Sequence, residues 1–274
     1  MPKKSKDHMR EKLEEIICKL KPLFFSGFIC GPKESEKEFD QRVAFLNKEE
    51  NLLFLIQSEK DLKNAEVLKL KVETLDISLN WFFFSEKKVK LGLFEAGATY
   101  EIQHCGQKIP FVEYKKNPFC DKEEVLLHEA IHAMRICYNE NLFEEILAYC
   151  FSKSILRRLF GPFFHSVNEI YCFFISYLIC LASQMYEYCF SYVCSIFLVI
   201  FMFFLLRAAF LHLVFNLALI KIKRLFPYIN PKKIALFFTD KEFFFFAFFT
   251  VKRLQIFLKN QFSFRWKQVF SLVN

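Results

Sequence analysis

The sequence contains no pair of cysteines in the CxxC spacing, although it has 10 cysteines in 274 residues. These cysteines are scattered along the chain and several fall inside apolar runs, so a disulfide scaffold is not indicated. The sequence also offers no good signal peptide, because the N-terminus is charged throughout and the apolar run at 22–31 is short. We therefore expect reduced, mostly buried thiols in a protein that does not follow a secretory route.

Acidic residues are scarce in the C-terminal part of the chain. Residues 166–274 contain 12 Lys or Arg and 4 Asp or Glu, whereas residues 1–165 contain 26 of each sign. The whole net charge of +8 therefore lies in the region that also holds the longest apolar runs. Basic and aromatic residues around long uncharged runs favour an anionic membrane surface as partner and argue against a nucleic acid.

Charged residues are absent from 189–206, a run of 18 residues. About 20 apolar residues cross the hydrocarbon core of a bilayer, so this run predicts a transmembrane helix. A shorter apolar run precedes it at 170–183, and another at 208–220 either extends the span or forms a third one. Basic residues flank the region on both sides, and by the positive-inside rule both flanks face the cytoplasm. This favours a two-helix hairpin within residues 166–224.

The remaining residues, 225–274, combine phenylalanine-rich runs with Lys, Arg and Trp266. This composition predicts an amphipathic tail at the membrane interface, with Trp266 at the depth of the lipid head groups. The alternative for the apolar runs as a whole is a packed core helix in a soluble domain.

The first 165 residues predict an α+β domain that follows an N-terminal helical or linker region. Residues 1–50 form that region, with an amphipathic helix over 3–21, and residues 51–165 form the domain. Its first part should be a small antiparallel sheet, because short apolar runs there alternate with period two. The strand-like runs are 52–56, 67–84, 88–94, 98–105 and 108–114. A two-residue connection, Gly106-Gln107, joins the last two runs and predicts a hairpin.

The central motif is HEAIH at 128–132, which has the HExxH spacing. Asp121 and Glu124 predict a capping box at the start of a helix that carries the motif to about 137. On a helix, residues four apart share one face, so His128 and His132 can both reach one zinc ion (Zn²⁺). Glu129 then lies beside them as general base toward the water that zinc binds.

A catalytic zinc usually has three protein ligands, and the third should come from a second helix over 142–160. Glu144 and Glu145 are both candidates on that helix. Asn141 and Glu144 have the spacing of another capping box, which gives Glu144 a structural task and favours Glu145 as the ligand. The choice between the two glutamates stays open at this point.

The pair of motifs HEAIH and EEILAY is similar to the gluzincin class of zinc metallopeptidases, in which a zincin-like helix pair holds the metal. The resemblance covers about residues 108–162, and the gap between the two motifs is shorter than in the best-known members. It implies His128, His132 and Glu145 as zinc ligands and Glu129 as general base. The chain also resembles small, poorly characterised bacterial membrane proteins that join such a domain to C-terminal hydrophobic segments.

Further roles around the motif are less specific. In the resembled class an edge strand binds the peptide by adding it to the sheet, and 108–114 is either that strand or simply the last strand of the hairpin. Arg135 is expected in a structural ion pair, whereas Cys120 is a remote candidate for a latent zinc ligand. The candidates for stabilising an oxyanion, none selected by a motif, are Tyr138, Tyr149, Arg158 and His165.

These expectations combine into a membrane-anchored zinc metallopeptidase that hydrolyses peptide bonds, with its catalytic domain on the cytoplasmic face. Its partners would be a peptide or protein substrate and membrane lipids. The alternative is a non-enzymatic membrane scaffold or remodelling protein whose metal site is structural or vestigial. The sequence does not indicate which peptide is cut.

Overall fold

The structure is a computed structural model that describes residues 18–48, 51, 66–72, 75–85, 96–104, 107–116, 121–184 and 187–273. Residues 18–25 are helical (α1) and precede α2 (Glu36–Leu46). Four strands follow: β1 (Glu66–Val72), β2 (Ile77–Ser85), β3 (Gly97–His104) and β4 (Gln107–Tyr114). The helices of the second half are α3 (Lys122–Met134), α4 (Glu144–Tyr149), α5 (Ile155–Phe160), a 3₁₀ turn (Gly161–Phe163), α6 (Val167–Ser183), α7 (Glu187–Leu225), α8 (Pro231–Ala235), α9 (Asp240–Phe248), α10 (Val251–Lys259) and α11 (Phe264–Val273). The predicted α+β class is confirmed, whereas the predicted helix over 3–21 and the runs 52–56 and 88–94 fall mostly or wholly outside the described residues.

The sheet is mixed and has the strand order β1-β2-β4-β3. The predicted hairpin is confirmed, because β3 and β4 pair antiparallel from Gly97↔Tyr114 to His104↔Gln107. The single run predicted at 67–84 is two strands, β1 and β2, which also pair antiparallel. The second strand of this hairpin, β4, pairs with β2, and these two strands are parallel. The prediction of a mostly antiparallel sheet therefore holds for two of the three described strand pairs, and the central pair is parallel.

The edge strand beside the motif helix is β3. Residues 108–114 belong to β4, which lies between β2 and β3, so their predicted role as a substrate-binding edge is wrong. Pro110 is compatible with this inner position because β2 pairs with β4 only over 111–113, directly after the proline.

Helix α3 begins where the sequence places it. The side chain of Asp121 accepts a hydrogen bond from the Glu123 N–H and caps the helix. Glu124 does not complete a capping box, because its carboxylate accepts hydrogen bonds from the Lys153 N–H and from Arg157. The same contacts divide the predicted helix over 142–160 into α4 and α5. The backbone turns toward Glu124 between them, and the Ser154 side chain then caps α5.

Helices α6 and α7 pack against each other as a hairpin of apolar helices. Phe173 of α6 lies 5.4 Å, ring to ring, from Phe197 of α7, and the sulfur atoms of Cys180 and Cys194 are 3.2 Å apart. In the described part of the chain, one helix, Ser191–Leu225, is long and apolar enough to cross a membrane. The run at 208–220 extends this helix and forms no third span.

The C-terminal residues belong to the protein core. Trp266 is fully buried, so its predicted place among lipid head groups is wrong. Phe237 stacks on Phe24 of α1 at a ring separation of 5.4 Å, and the Gln268 side chain bonds the backbone of Phe28 and Cys30. Aromatic side chains bury large apolar areas, and the N-terminal segment offers them a protein partner in place of lipid. One hydrophobic core therefore extends from Leu20 to Val269.

Candidate metal centre

Three side chains from two neighbouring helices meet at one point. His128 and His132 lie one turn apart on α3, and Glu145 lies in the first turn of α4. The Nε2 atoms of the two histidines are 3.1 Å apart. The Glu145 carboxylate places Oε2 3.5 Å from His128 Nε2 and Oε1 3.5 Å from His132 Nε2. The sequence singled out these three residues, and the fold brings their ligand atoms within 4.8 Å of one another.

This group has the dimensions of a tetrahedral zinc site. Two ligand atoms that are each about 2.1 Å from a tetrahedral zinc lie about 3.4 Å from each other. The histidine nitrogens are 3.1 Å apart, and each faces a different oxygen of Glu145 at 3.5 Å, so every pair of residues has two ligand atoms close to that separation. Two imidazoles and a carboxylate are also a donor set found in catalytic zinc sites. No fourth His, Cys, Asp or Glu joins this group among the residues that the structure describes. The residues therefore fit a zinc ion with an open coordination position.

Glu144 orients one of the histidines. Its Oε1 atom lies 3.3 Å from His132 Nδ1, so the other ring nitrogen, Nε2, is directed at the metal position. A carboxylate behind a metal-binding histidine fixes the ring and its tautomer. The predicted capping box of Asn141 and Glu144 is wrong, because the Asp240 carboxylate accepts hydrogen bonds from the backbone N–H groups of residues 141–143. Glu144 is therefore occupied by His132 and Arg135 and not by a capping box, and Glu145 is the glutamate that faces both histidines.

Arg135 links the site to the C-terminal helices. Its Nε atom donates to Glu144 Oε2 at 2.8 Å, which confirms the predicted ion pair. The guanidinium also donates to the backbone carbonyls of Leu236 and Phe238, and it lies over the Tyr138 ring. The C-terminal segment thereby holds the arginine that positions Glu144.

Glu129, the expected general base, lies between α3 and the edge strand β3. The Thr99 hydroxyl is 2.8 Å from Glu129 Oε2 and donates to it. Gly97 faces the same carboxylate, and a Cβ atom there would lie 3.1 Å from it and 2.7 Å from a methyl group of Val125. A side chain at position 97 would therefore displace the base. No motif in the sequence identifies Thr99 or Gly97, because β3 and α3 meet only in the folded chain.

The metal group lies in a cleft of about 650 Å³. Residues of β3 line it, together with Tyr149, Arg157 and residues 164–167, which lead into α6. Of the four oxyanion candidates from the sequence, Tyr138, Tyr149 and His165 line this cleft. The Tyr149 ring packs on the His128 ring at 4.2 Å. Arg158 is not among the lining residues, whereas the neighbouring Arg157, which sequence reasoning missed, is.

The other two oxyanion candidates have their polar atoms engaged elsewhere. The Tyr138 hydroxyl contacts the carbonyls of Cys30 and Phe237. His165 Nε2 lies 3.1 Å from the Leu142 carbonyl, and its Nδ1 accepts from the Arg207 guanidinium. Tyr149, whose ring packs directly on a histidine of the metal group, and Arg157, which also donates to Glu124, line the cleft and are the candidates for donation to an oxyanion.

The two histidines have opposite electrostatic environments. Burial, followed by the nearby His132 and Arg157, holds the pKa of His128 well below its usual range. Burial would also lower the pKa of His132, but the hydrogen bond to Glu144 and the charge of Glu145 outweigh it and raise this pKa to about 9. Burial raises the pKa of Glu145. In the metal-free protein His132 therefore binds a proton at neutral pH, and His128 does not.

Zinc affinity should consequently rise with pH. Zinc must displace the proton of His132, whose raised pKa keeps that proton bound up to about pH 9. Displacing one proton gives about a tenfold gain in apparent affinity per pH unit, so the affinity should rise about 100-fold from pH 7 to 9 and then level off. Competition with a calibrated chelator measures this. In Glu144→Gln the plateau should begin at lower pH, since the main group that raises the pKa of His132 is lost. A flat profile in the native protein would contradict this account.

Comparison of the chain with protein-family models, with curated proteins and with solved structures found no match. The resemblance to gluzincins therefore rests on the two motifs alone and stays a prediction.

Proposed function

We propose that this protein is a membrane-anchored zinc metallopeptidase that hydrolyses peptide bonds. The observation that carries the proposal is the convergence of His128, His132 and Glu145, whose ligand atoms lie within 4.8 Å of one another, with Glu129 lining the same open cleft. The alternative, a scaffold with a structural metal, is less well supported. A structural zinc is normally closed by a fourth protein ligand and does not need a cleft of about 650 Å³.

The proposed chemistry divides the work among the residues of the cleft. Zinc, when bound, would polarise the peptide carbonyl and make water more acidic. Glu129 accepts a proton from the attacking water and passes it to the leaving amine, while Thr99 holds its carboxylate in place. Tyr149 and Arg157, which line the cleft, would donate to the oxyanion. Glu144 keeps the Nε2 atom of His132 directed at the metal.

Substrate would bind along β3. This strand pairs with β4 on one side, and among the described strands it has no partner on the other. An extended peptide can add to such an edge through backbone hydrogen bonds, which places its carbonyl groups along the sheet. Residues 97–99 and Glu101 of β3 also line the cleft, so a peptide added there would pass the metal group.

The membrane anchor would be the hairpin of α6 and α7. The first half of α7 exposes large apolar side chains, and only 11% of its most apolar window is buried, unlike the core helix of a soluble protein. Its second half is buried against the domain through Val214, Ala218 and Ile222. The 17 residues of α6 span about 25 Å, slightly less than a bilayer core. We infer two crossings, with the basic flanks and the cleft on the cytoplasmic side, from the positive-inside rule.

The test is metal content together with peptide cleavage by the full chain in detergent. We expect about one zinc per chain, cleavage that a chelator removes, and recovery when zinc is added back. His128→Ala should lose both zinc and cleavage, because it removes a ligand. His212→Ala, a matched histidine on α7 that bonds backbone carbonyls, should keep both. Cleavage that continues after complete removal of metal would contradict the proposal.

A further inference from the structure

Helix α5 presents an apolar face that no described residue covers. Ile155, Leu156, Leu159 and Phe160 are 64%, 67%, 53% and 61% exposed. Their spacing places them on one side of the helix. We call these four residues the α5 face. Four large apolar side chains together on such a short helix mark an interaction surface.

The α5 face lies next to the end of the apolar hairpin at which α6 begins. The chain runs from α5 through the 3₁₀ turn and then bends by 83° into α6. Arg207 of α7 fixes this bend, because its guanidinium donates to the Phe163 carbonyl and to both carboxylate oxygens of Glu169. If the hairpin stands along the membrane normal, α5 lies in the plane of the membrane surface.

The charges around α5 suit an anionic lipid surface. Lys153 lies two residues before the helix, and its side chain is 76% exposed although it lies 3.8 Å from Glu123. Within the helix, Arg157 pairs with Glu124, and Arg158 adds a further positive charge. A helix with an apolar face and flanking basic residues typically lies at the boundary between head groups and acyl chains. The hairpin, which exposes its own apolar side chains, continues the same surface. The occupant that these observations favour is therefore the lipid bilayer.

The metal cleft opens at the same level. Gly161 of the turn after α5 lines it, as do Ser166, Val167 and Ile170 at the start of α6. The residues at the start of α6 thus form part of the lining of the cleft as well as the beginning of the hairpin. A peptide that reaches the metal group along β3 would do so next to the membrane surface.

We propose that the α5 face lies in the surface of an anionic bilayer and that the cleft takes the membrane-proximal segment of membrane-anchored polypeptides. The substrate class rests on the proposed peptidase function, whereas the membrane placement does not. A substrate already held at the surface reaches the cleft at a higher effective concentration than the same peptide in solution.

The first measurement locates the α5 face. Leu159→Trp is reconstituted as full chain into vesicles of phosphatidylcholine and phosphatidylglycerol that carry brominated acyl chains. Its added fluorescence should be strongly quenched, because the native Trp81 and Trp266 are buried in the protein. Lys37→Trp, on the exposed side of α2, should not be quenched. An unquenched Leu159→Trp would overturn the membrane placement.

The second measurement compares one peptide in two forms, free in solution or acylated and inserted in the vesicles. The acylated form should be cleaved at least about tenfold faster. Leu156→Glu with Leu159→Glu should remove this advantage and leave cleavage of the free peptide unchanged, whereas Lys37→Glu should change neither rate. Equal rates for both forms would overturn the substrate class. If neither form is cleaved although Leu159→Trp is quenched, the peptidase function and its substrate class fail and the membrane placement is supported.

Discussion

Replacing Glu129 with glutamine should lower the rate of peptide cleavage by about 10²- to 10⁴-fold, the usual contribution of a positioned acid–base group. Glutamine keeps the size of the side chain and can still bond to Thr99, but it cannot take a proton from water. The zinc content should not change, since the ligand atoms belong to His128, His132 and Glu145. Steady-state cleavage and metal analysis of the same sample measure both effects.

Glu123→Gln is the matched control for this variant. Glu123 lies on the same helix and carries a carboxylate, but its side chain is 78% exposed and it is not among the residues that line the cleft. Cleavage by Glu123→Gln should therefore remain close to that of the native protein. Native activity in Glu129→Gln would exclude Glu129 as the base, and a parallel loss of zinc would show that the variant acts through the metal site instead.

The second large effect should come from Arg135→Ala. The Arg135 side chain is only 1% exposed and joins Glu144 to the carbonyls of the C-terminal segment. Its removal leaves Glu144 without its main charge partner, and breaking a buried pair in this way costs about 3–5 kcal/mol of unfolding free energy. Zinc affinity should fall as well, by about 10- to 100-fold, because Glu144 no longer holds His132 in place. Denaturant unfolding and chelator competition measure the two losses separately.

Arg42→Ala separates stability from metal binding. Arg42 is 2% exposed and pairs with Glu34 at 2.8 Å, so its loss should destabilise the fold by a similar amount. It is not among the residues that line the cleft, and the zinc affinity of the folded protein should stay unchanged. If Arg135→Ala loses the expected unfolding free energy but the folded protein keeps native zinc affinity, the role of Arg135 in positioning Glu144 is contradicted.

The parts of the site that could be predicted from sequence depend on local geometry. His128 and His132 share a helix face because they are four residues apart, and Asp121 caps that helix through an N–H two residues away. The hairpin of β3 and β4 is similarly local, since its strands are joined by two residues. Such contacts follow from spacing alone.

The parts that could not be predicted depend on contacts between distant residues. Asp240 caps the start of α4 from almost 100 positions away, and this releases Glu144 to bind His132 and Arg135. The parallel pairing of β2 with β4 is also non-local, and it leaves β3 as the strand at the edge of the described sheet. Apolar runs add a further ambiguity, because Phe- and Trp-rich segments suit lipid and protein equally well. Here Trp266 has a protein partner, and most of the exposed large apolar side chains in the described part of the chain belong to α5, α6 and α7.

X-ray absorption at the zinc edge of the purified full chain tests the central claim most directly. We predict four light-atom ligands at about 2.0–2.2 Å, with the scattering pattern of two imidazoles and without sulfur at about 2.3 Å. Glu145→Ala should lose one oxygen ligand or the metal itself. A sulfur shell, or a spectrum unchanged in Glu145→Ala, would contradict a catalytic centre formed by His128, His132 and Glu145.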